Sequence, residues 1–190
     1  MILIIDNQSL YIRVFEKKLI KRAVPYKFYY HSEQIDFSLK DQVSGIILSG
    51  GAGNPYEPLN LTANYVALNN FDVPIIGLCL GFEIIAVFYG GTISILNQYQ
   101  NGFDHITILN DDPIFAGVSK KNIRLKEQHQ YKAETIPDSC VNLASSGTCQ
   151  YEIIRHKDKP IYGFQSHPEV SGQTGDVIMG NFIEMCGHKW

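Results

Sequence analysis

A cysteine set between two glycines where an apolar run breaks, Gly77-Leu78-Cys79-Leu80-Gly81, is the part of this sequence best suited to covalent chemistry. The run Pro74-Ile75-Ile76-Gly77-Leu78 reads as a buried strand and Phe82 to Tyr89 as an apolar helix, so Cys79 falls on a tight strand-to-helix turn. A thiol at such a turn stands at the carboxyl edge of a sheet, beside a helix N-terminus. The dipole and free N–H groups there favour a thiolate and stabilise an oxyanion. The plainer alternative is a small buried core residue, and the flanking glycines argue against it. A thiol nucleophile needs a base, and the base needs an orienting group. His167-Pro168-Glu169 offers both, directly after the apolar strand 160–165.

A third stretch, Ser49-Gly50-Gly51-Ala52-Gly53-Asn54-Pro55, follows the strand Gly45-Ile46-Ile47-Leu48. It lacks the lysine of a phosphate loop, and no helix starts immediately behind it. Its glycines form either a plain turn or a close approach of backbone N–H groups to a substrate carbonyl oxygen beside Cys79. His31, His105, His156 and His188 have no comparable setting and read as surface or packing residues. No histidine pair shows metal-ligand spacing with a third ligand, so no metal is expected. Cys140, Cys149 and Cys186 form no C-x-x-C pair and read as reduced, structural thiols.

The elements that must position these residues alternate from the start. Ile2 to Ile5 is a β-branched run suited to a strand buried on both faces, and Asp6 to Ser9 supplies turn chemistry. A helix over 10–20 carries Tyr11, Phe15 and Leu19 at helical spacing. Strands at 26–30 and 45–48, a helix at 61–71 and the strand before Cys79 continue the pattern. After Gly90-Gly91 come short alternating segments at 92–95, 105–109, 123–125, 141–144 and 151–156, in the style of antiparallel strands. A buried strand at 160–165 and a helix over 176–186 close the chain. The expected fold is a single α/β domain over 1–190: an open, mostly parallel sheet flanked by helices, with antiparallel strands added in the second half.

Composition bounds the function. The 190 residues are 45% hydrophobic and 18% charged, enough for one compact core without a disulfide or metal staple. Sixteen basic against nineteen acidic residues leave a net charge of −3 with no basic stripe, which argues against nucleic-acid or anionic-membrane binding. The opening apolar run breaks at Asp6, too early for a signal peptide, and no stretch approaches the roughly 18 apolar residues of a membrane span. A cytoplasmic protein is expected.

In this order and spacing the three stretches resemble the class I glutamine amidotransferases, the family with a Cys-His-Glu triad. The family pattern G-x-C-x-G-x-Q matches Gly77 to Glu83 except for Glu83 itself. S-G-G-P-G-N-P matches Ser49 to Pro55 with Ala52 for proline, and Q-F-H-P-E matches Gln165 to Glu169 with Ser166 for phenylalanine. The resemblance implies a flavodoxin-like fold, Cys79 as nucleophile on the side-chain amide of L-glutamine, His167 as base and then acid, and Glu169 as its orienter. It implies an oxyanion hole from the N–H groups of Leu80 and Gly51, with Ala52 and Gly53 beside it. Residues 125–131 fall where relatives carry a loop whose backbone touches substrate, which nominates Gln130 and Tyr131. Glu83 stands where the family glutamine helps bind substrate. A carboxylate there either holds the substrate α-ammonium or raises the thiol pKa by repulsion.

The family needs no cofactor in this chain. Its ammonia passes to an ATP-dependent synthase, carried on a partner subunit when the amidotransferase stands alone. Residues 111–118 and 155–163 look most like glutaminase subunits of two-chain GMP synthases, with those of anthranilate and aminodeoxychorismate synthases close behind. The alternatives are a γ-glutamyl hydrolase or transferase of altered substrate and a non-catalytic partner-binding subunit. Tyr56, Phe103 and Tyr131 are candidates for the partner surface.

Overall fold

The computed structural model spans residues 1–190 and describes them all, the side chains of residues 58 and 59 excepted. The strands are β1 (Ile2–Asp6), β2 (Tyr26–Tyr30), β3 (Gly45–Leu48), β4 (Ile75–Leu78), β5 (Thr92–Ile108), β6 (Asn122–Thr135), β7 (Cys140–Ser145), β8 (Ile153–His156) and β9 (Ile161–Phe164). The helices are α1 (Ile12–Lys21), α2 (Thr62–Asn70), α3 (Leu80–Phe88) and α4 (Gly172–Met185). One sheet of order β2-β1-β3-β4-β9-β8-β7-β5-β6 holds every strand. Its first five members pair in parallel and the remaining pairs are antiparallel.

The period-2 geometry of a strand sends alternate side chains of β1 to opposite faces. Ile2 and Ile4 enter the core under α1 and α4, and Leu3 and Ile5 enter the core under α2 and α3. On α1 the buried residues Ile12, Phe15 and Leu19 share one face. The sheet is therefore covered on both sides, as an uninterrupted apolar run such as Ile2 to Ile5 requires.

The second half departs from expectation. The segments expected at 92–95 and 105–109 are one strand, β5, and 123–125 is the start of the long β6. Residues 125–131 are therefore strand rather than loop. Much of β5 is exposed or half-exposed, so its middle, Asn97-Gln98-Tyr99-Gln100-Asn101, has no buried face to impose alternation. The pairing breaks register between Ile95↔Tyr131 and Gln100↔His129. Although β6 is the last strand of the sheet, its Lys126 forms an antiparallel bridge to His167, just beyond central β9. The sheet curls back on itself to do this.

Helix α4 begins at Gly172 rather than at Asp176. Gly175 lies so close to the chain that an added Cβ would meet the Pro168 carbonyl oxygen at 1.9 Å. Here glycine permits a close approach instead of stopping the helix. Cys140, Cys149 and Cys186 are buried and unpaired. Among the described residues, no helix is long and apolar enough to cross a membrane.

Candidate active site

Cys79 sits between β4 and α3 with φ +50° and ψ −107°, a conformation that side-chain-bearing residues rarely adopt. The turn is held by neighbours on each side. Its N–H donates to the Phe164 carbonyl of β9 at 2.7 Å, and its carbonyl accepts the Glu83 N–H at 3.0 Å. The two glycines of the turn have a steric reason. A Cβ on Gly77 would lie 2.4 Å from the Gly81 carbonyl oxygen, and one on Gly81 would lie 2.2 Å from that of Leu48. Without side chains there, α3 packs directly on β4 and β3, and its N-terminus points at the thiol.

His167 enters from the end of β9. Its N–H donates to the Lys126 carbonyl at 2.7 Å. The Ser171 hydroxyl donates to the His167 carbonyl and accepts the Lys126 N–H. The imidazole Nδ1 lies 2.8 Å from Oε1 of Glu169, which is fully buried. Nδ1 therefore carries the proton, and Nε2 is left for the thiol. Burial alone would lower the His167 pKa, but the charge and hydrogen bond of Glu169, helped by Glu127, outweigh it and raise it above the ordinary value. Cys79 and His167 line one cavity of about 190 Å³ with Gly51, Ala52, Tyr11, Tyr99 and Gln128. Gly50 lies against both groups. A Cβ there would meet His167 Cε1 at 2.8 Å and Cys79 Cβ at 3.4 Å.

The thiol pKa is raised well above its usual value, first by burial and then by the Glu83 charge, against a hydrogen bond from the Leu80 N–H that lowers it. Such a shift favours the neutral thiol, and a sulfur in that form needs a base to remove its proton before it can attack a carbonyl. The Leu80 N–H, aimed at the sulfur, also points where an oxyanion would form on a carbonyl carbon bonded to it. The arrangement can perform acyl transfer from an amide or ester.

The remaining expected residues are spread wider. Glu83 is buried beneath the thiol, where its Oε1 accepts from Gln165 Nε2 at 3.1 Å, and it does not line the cavity. Gly53 borders a neighbouring depression with Leu80 and Asn7. The Gln130 side chain turns away to the Leu96 carbonyl, and Tyr131 is exposed on the hairpin opposite Ile95. Tyr56 and Phe103 are exposed as well. The cavity residues that the sequence did not nominate include Tyr11, Tyr99 and Gln128, with Gln8, Ser9 and Leu10 just before α1. The only signal for Gln128 was its place in residues 125–131.

Beside Cys79, His167 and Glu169 lies a buried polar layer of Glu83, Glu127, His129, Glu152 and Gln165. Burial pushes the Glu127 and Glu152 carboxyls up to about 8, with mutual repulsion adding to the shift at Glu152. His129 Nε2 is 3.1 Å from Glu127 but not in hydrogen-bonding geometry. No cluster of three or more metal-binding side chains occurs among the described residues.

Across residues 3–185 the chain matches the family pattern of glutamine amidotransferase class I. The chain belongs to the class I glutamine amidotransferases. It is 35% identical over 190 residues to the glutamine-hydrolyzing GMP synthase subunit of Pyrococcus abyssi, covering 98% of this chain and 99% of that one. Against the protein of the same name from Methanococcus maripaludis it is 34% identical over 192 residues, with 100% and 99% covered. The crystal structure of a proposed GMP synthase subunit from Thermoplasma acidophilum superposes with a TM-score of 0.87 at 32% identity, covering 98% of this chain and 93% of that one. Membership agrees with the mixed sheet and with the strand-to-helix turn that carries Cys79.

Proposed function

We propose that this amidotransferase is the glutamine-hydrolysing subunit of a two-chain GMP synthase, with Cys79, His167 and Glu169 as its triad. The observation that carries the reading is the cavity shared by Cys79 and His167, with Glu169 on the far side of the imidazole and the Leu80 N–H at the sulfur. The full-length similarity to glutamine-hydrolyzing GMP synthase subunits supports the choice of acceptor.

In this reading His167 Nε2 takes the Cys79 proton as Sγ attacks the side-chain carbonyl carbon of glutamine. The N–H groups of Leu80 and Gly51 stabilise the oxyanion. The C–N bond breaks as the imidazolium returns its proton to the leaving nitrogen, giving ammonia and a γ-glutamyl thioester. Water, deprotonated by His167, attacks the thioester carbonyl, and the C–S bond breaks as the imidazolium returns its proton to sulfur, releasing glutamate and restoring the thiol. Glu169 holds the imidazole throughout. Ammonia passes to an ATP-dependent synthase subunit.

Labelling with a diazo-ketone analogue of glutamine, read by intact mass and peptide mapping with iodoacetamide as a thiol control, tests nucleophile and substrate together. The expected result is one adduct on Cys79, suppressed by excess glutamine. Mixing with the cognate synthase subunit should then give glutamine-dependent GMP formation. An iodoacetamide adduct on Cys79 with no analogue adduct, alone or in the complex, would exclude glutamine as the substrate.

A further inference from the structure

The Cys79 thiol already has a hydrogen-bond partner in the cavity. Its Sγ lies 3.7 Å from the main-chain carbonyl oxygen of Gln128. The same carbonyl also stabilises the protonated His167 imidazole. A carbonyl can only accept, so it favours the protonated form of both groups. Catalysis requires the reverse, a thiol giving up its proton to an unprotonated Nε2. The Gln128 carbonyl and a substrate carbonyl compete for one small space.

What holds Gln128 there is visible. The Tyr11 hydroxyl, arriving from the start of α1, donates to Gln128 Oε1. The Tyr11 ring stands edge-on to His167, with centroids 4.8 Å apart and planes at 75°. One side chain therefore touches the base and ties down the residue that covers the nucleophile. The strand is paired in register through Gln128 and His129, and its ladder breaks only beyond them. Lys126 is fixed by its bonds to His167 and Ser171, whereas the β5–β6 register breaks just past His129. Side chains alternate along β6, so Glu127 and His129 are anchored in the buried layer while Gln128 faces the cavity.

We propose that Tyr11 is a positioning residue whose hydroxyl, acting through the Gln128 side chain, holds the Gln128 carbonyl on the Cys79 thiol, so that substrate reaches the sulfur only when this clasp opens. The proposal rests on the triad reading above, but thiol alkylation tests it without any glutamine turnover.

Tyr11→Phe keeps the ring against His167 and removes the hydroxyl. Gln128→Met keeps the length of the side chain and removes the acceptor. In the full-length chain each is expected to raise the iodoacetamide alkylation rate of Cys79, followed by peptide mapping, at least threefold. The double variant should match the singles, because both break the same contact. In the assembled complex Tyr11→Phe should lower the KM for glutamine by a larger factor than it changes kcat, since the closed state no longer dilutes the competent one. If Tyr11→Phe does not fold, Gln128→Met probes the contact from the other side. Alkylation at or below the wild-type rate in either folded single variant, or gains that add in the double, would overturn the clasp.

Discussion

Gly50→Ala tests how closely the active site is packed. The new Cβ would lie 2.8 Å from His167 Cε1, 0.6 Å inside the shortest ordinary contact of 3.4 Å. The ring cannot simply swing aside, because Glu169 holds Nδ1 at 2.8 Å and the Tyr11 ring stands against it. A retreat of 0.6 Å along the first bond would stretch it to 3.4 Å, near the limit of a hydrogen bond. A displacement on this scale costs on the order of 100-fold in rate. Overpacking costs about 1–3 kcal/mol of stability, or several degrees in Tm. The assay is glutamine hydrolysis by the complex, with a thermal melt on the same preparation. A folded variant whose kcat/KM stays within threefold of wild type would refute the reasoning, since the imidazole would then have room that the structure does not show.

Three further outcomes follow from the same geometry. Glu169→Gln removes the charge that raises the His167 pKa, and its amide can donate to Nδ1 and drive the proton onto Nε2. Turnover should fall by about 10³–10⁴-fold, and the His167 titration followed by NMR should move to lower pH. The Glu127 and Glu152 carboxyls, at about 8 against the usual 4.5, make the native state bind more protons than the unfolded chain between those values. Their contribution is complete below pH 4.5 and is lost as pH rises through 8, so stability should decline by a few kcal/mol across this window. Urea unfolding at pH 5 and pH 8 measures the slope, which Glu152→Gln should flatten; an equal slope in that variant would contradict the assignment. Asn64→Ala breaks the reciprocal amide pair with Asn7 at the end of β1 and should cost about 1–3 kcal/mol in the same assay.

The grouping of Cys79, His167 and Glu169 was legible because its signals are local. Two glycines beside Cys79 mark a turn that only bare backbone permits, and His167 and Glu169 are two residues apart on one stiff turn. Glu83, four residues after Cys79, would share its face if the helix already ran through Cys79. Spacing of four puts two side chains on one face only when both residues are helical, and Cys79, at φ +50°, precedes the helix. The thiol faces the cavity while Glu83 turns beneath it, close enough to raise the thiol pKa. Tyr11 and Gln128 were hidden for another reason. They meet across 117 positions of sequence, through a curl of the sheet that no short pattern records. The parallel half of the fold was readable from apolar runs such as Ile2 to Ile5. The β5–β6 hairpin was not, because much of β5 runs out past the core, and β6 alternates in burial but places the polar Glu127 and His129 at its inner positions.

The central place of β9 bears on how the protein folds. Strands β1, β3 and β4 can associate as soon as residue 78 has been made, but their open edge at β4 is covered only by β9, over 80 residues later in the chain. Until then that apolar edge is an unpaired template for other chains. Contacts so distant in sequence form slowly and leave intermediates prone to aggregation. The turn at Cys79 waits on the same event, since its N–H is secured by the Phe164 carbonyl. The Cys79 thiol thus acquires its posture only when almost the whole chain is in place, and an unfinished or misdocked chain would keep it out of the cavity it shares with His167.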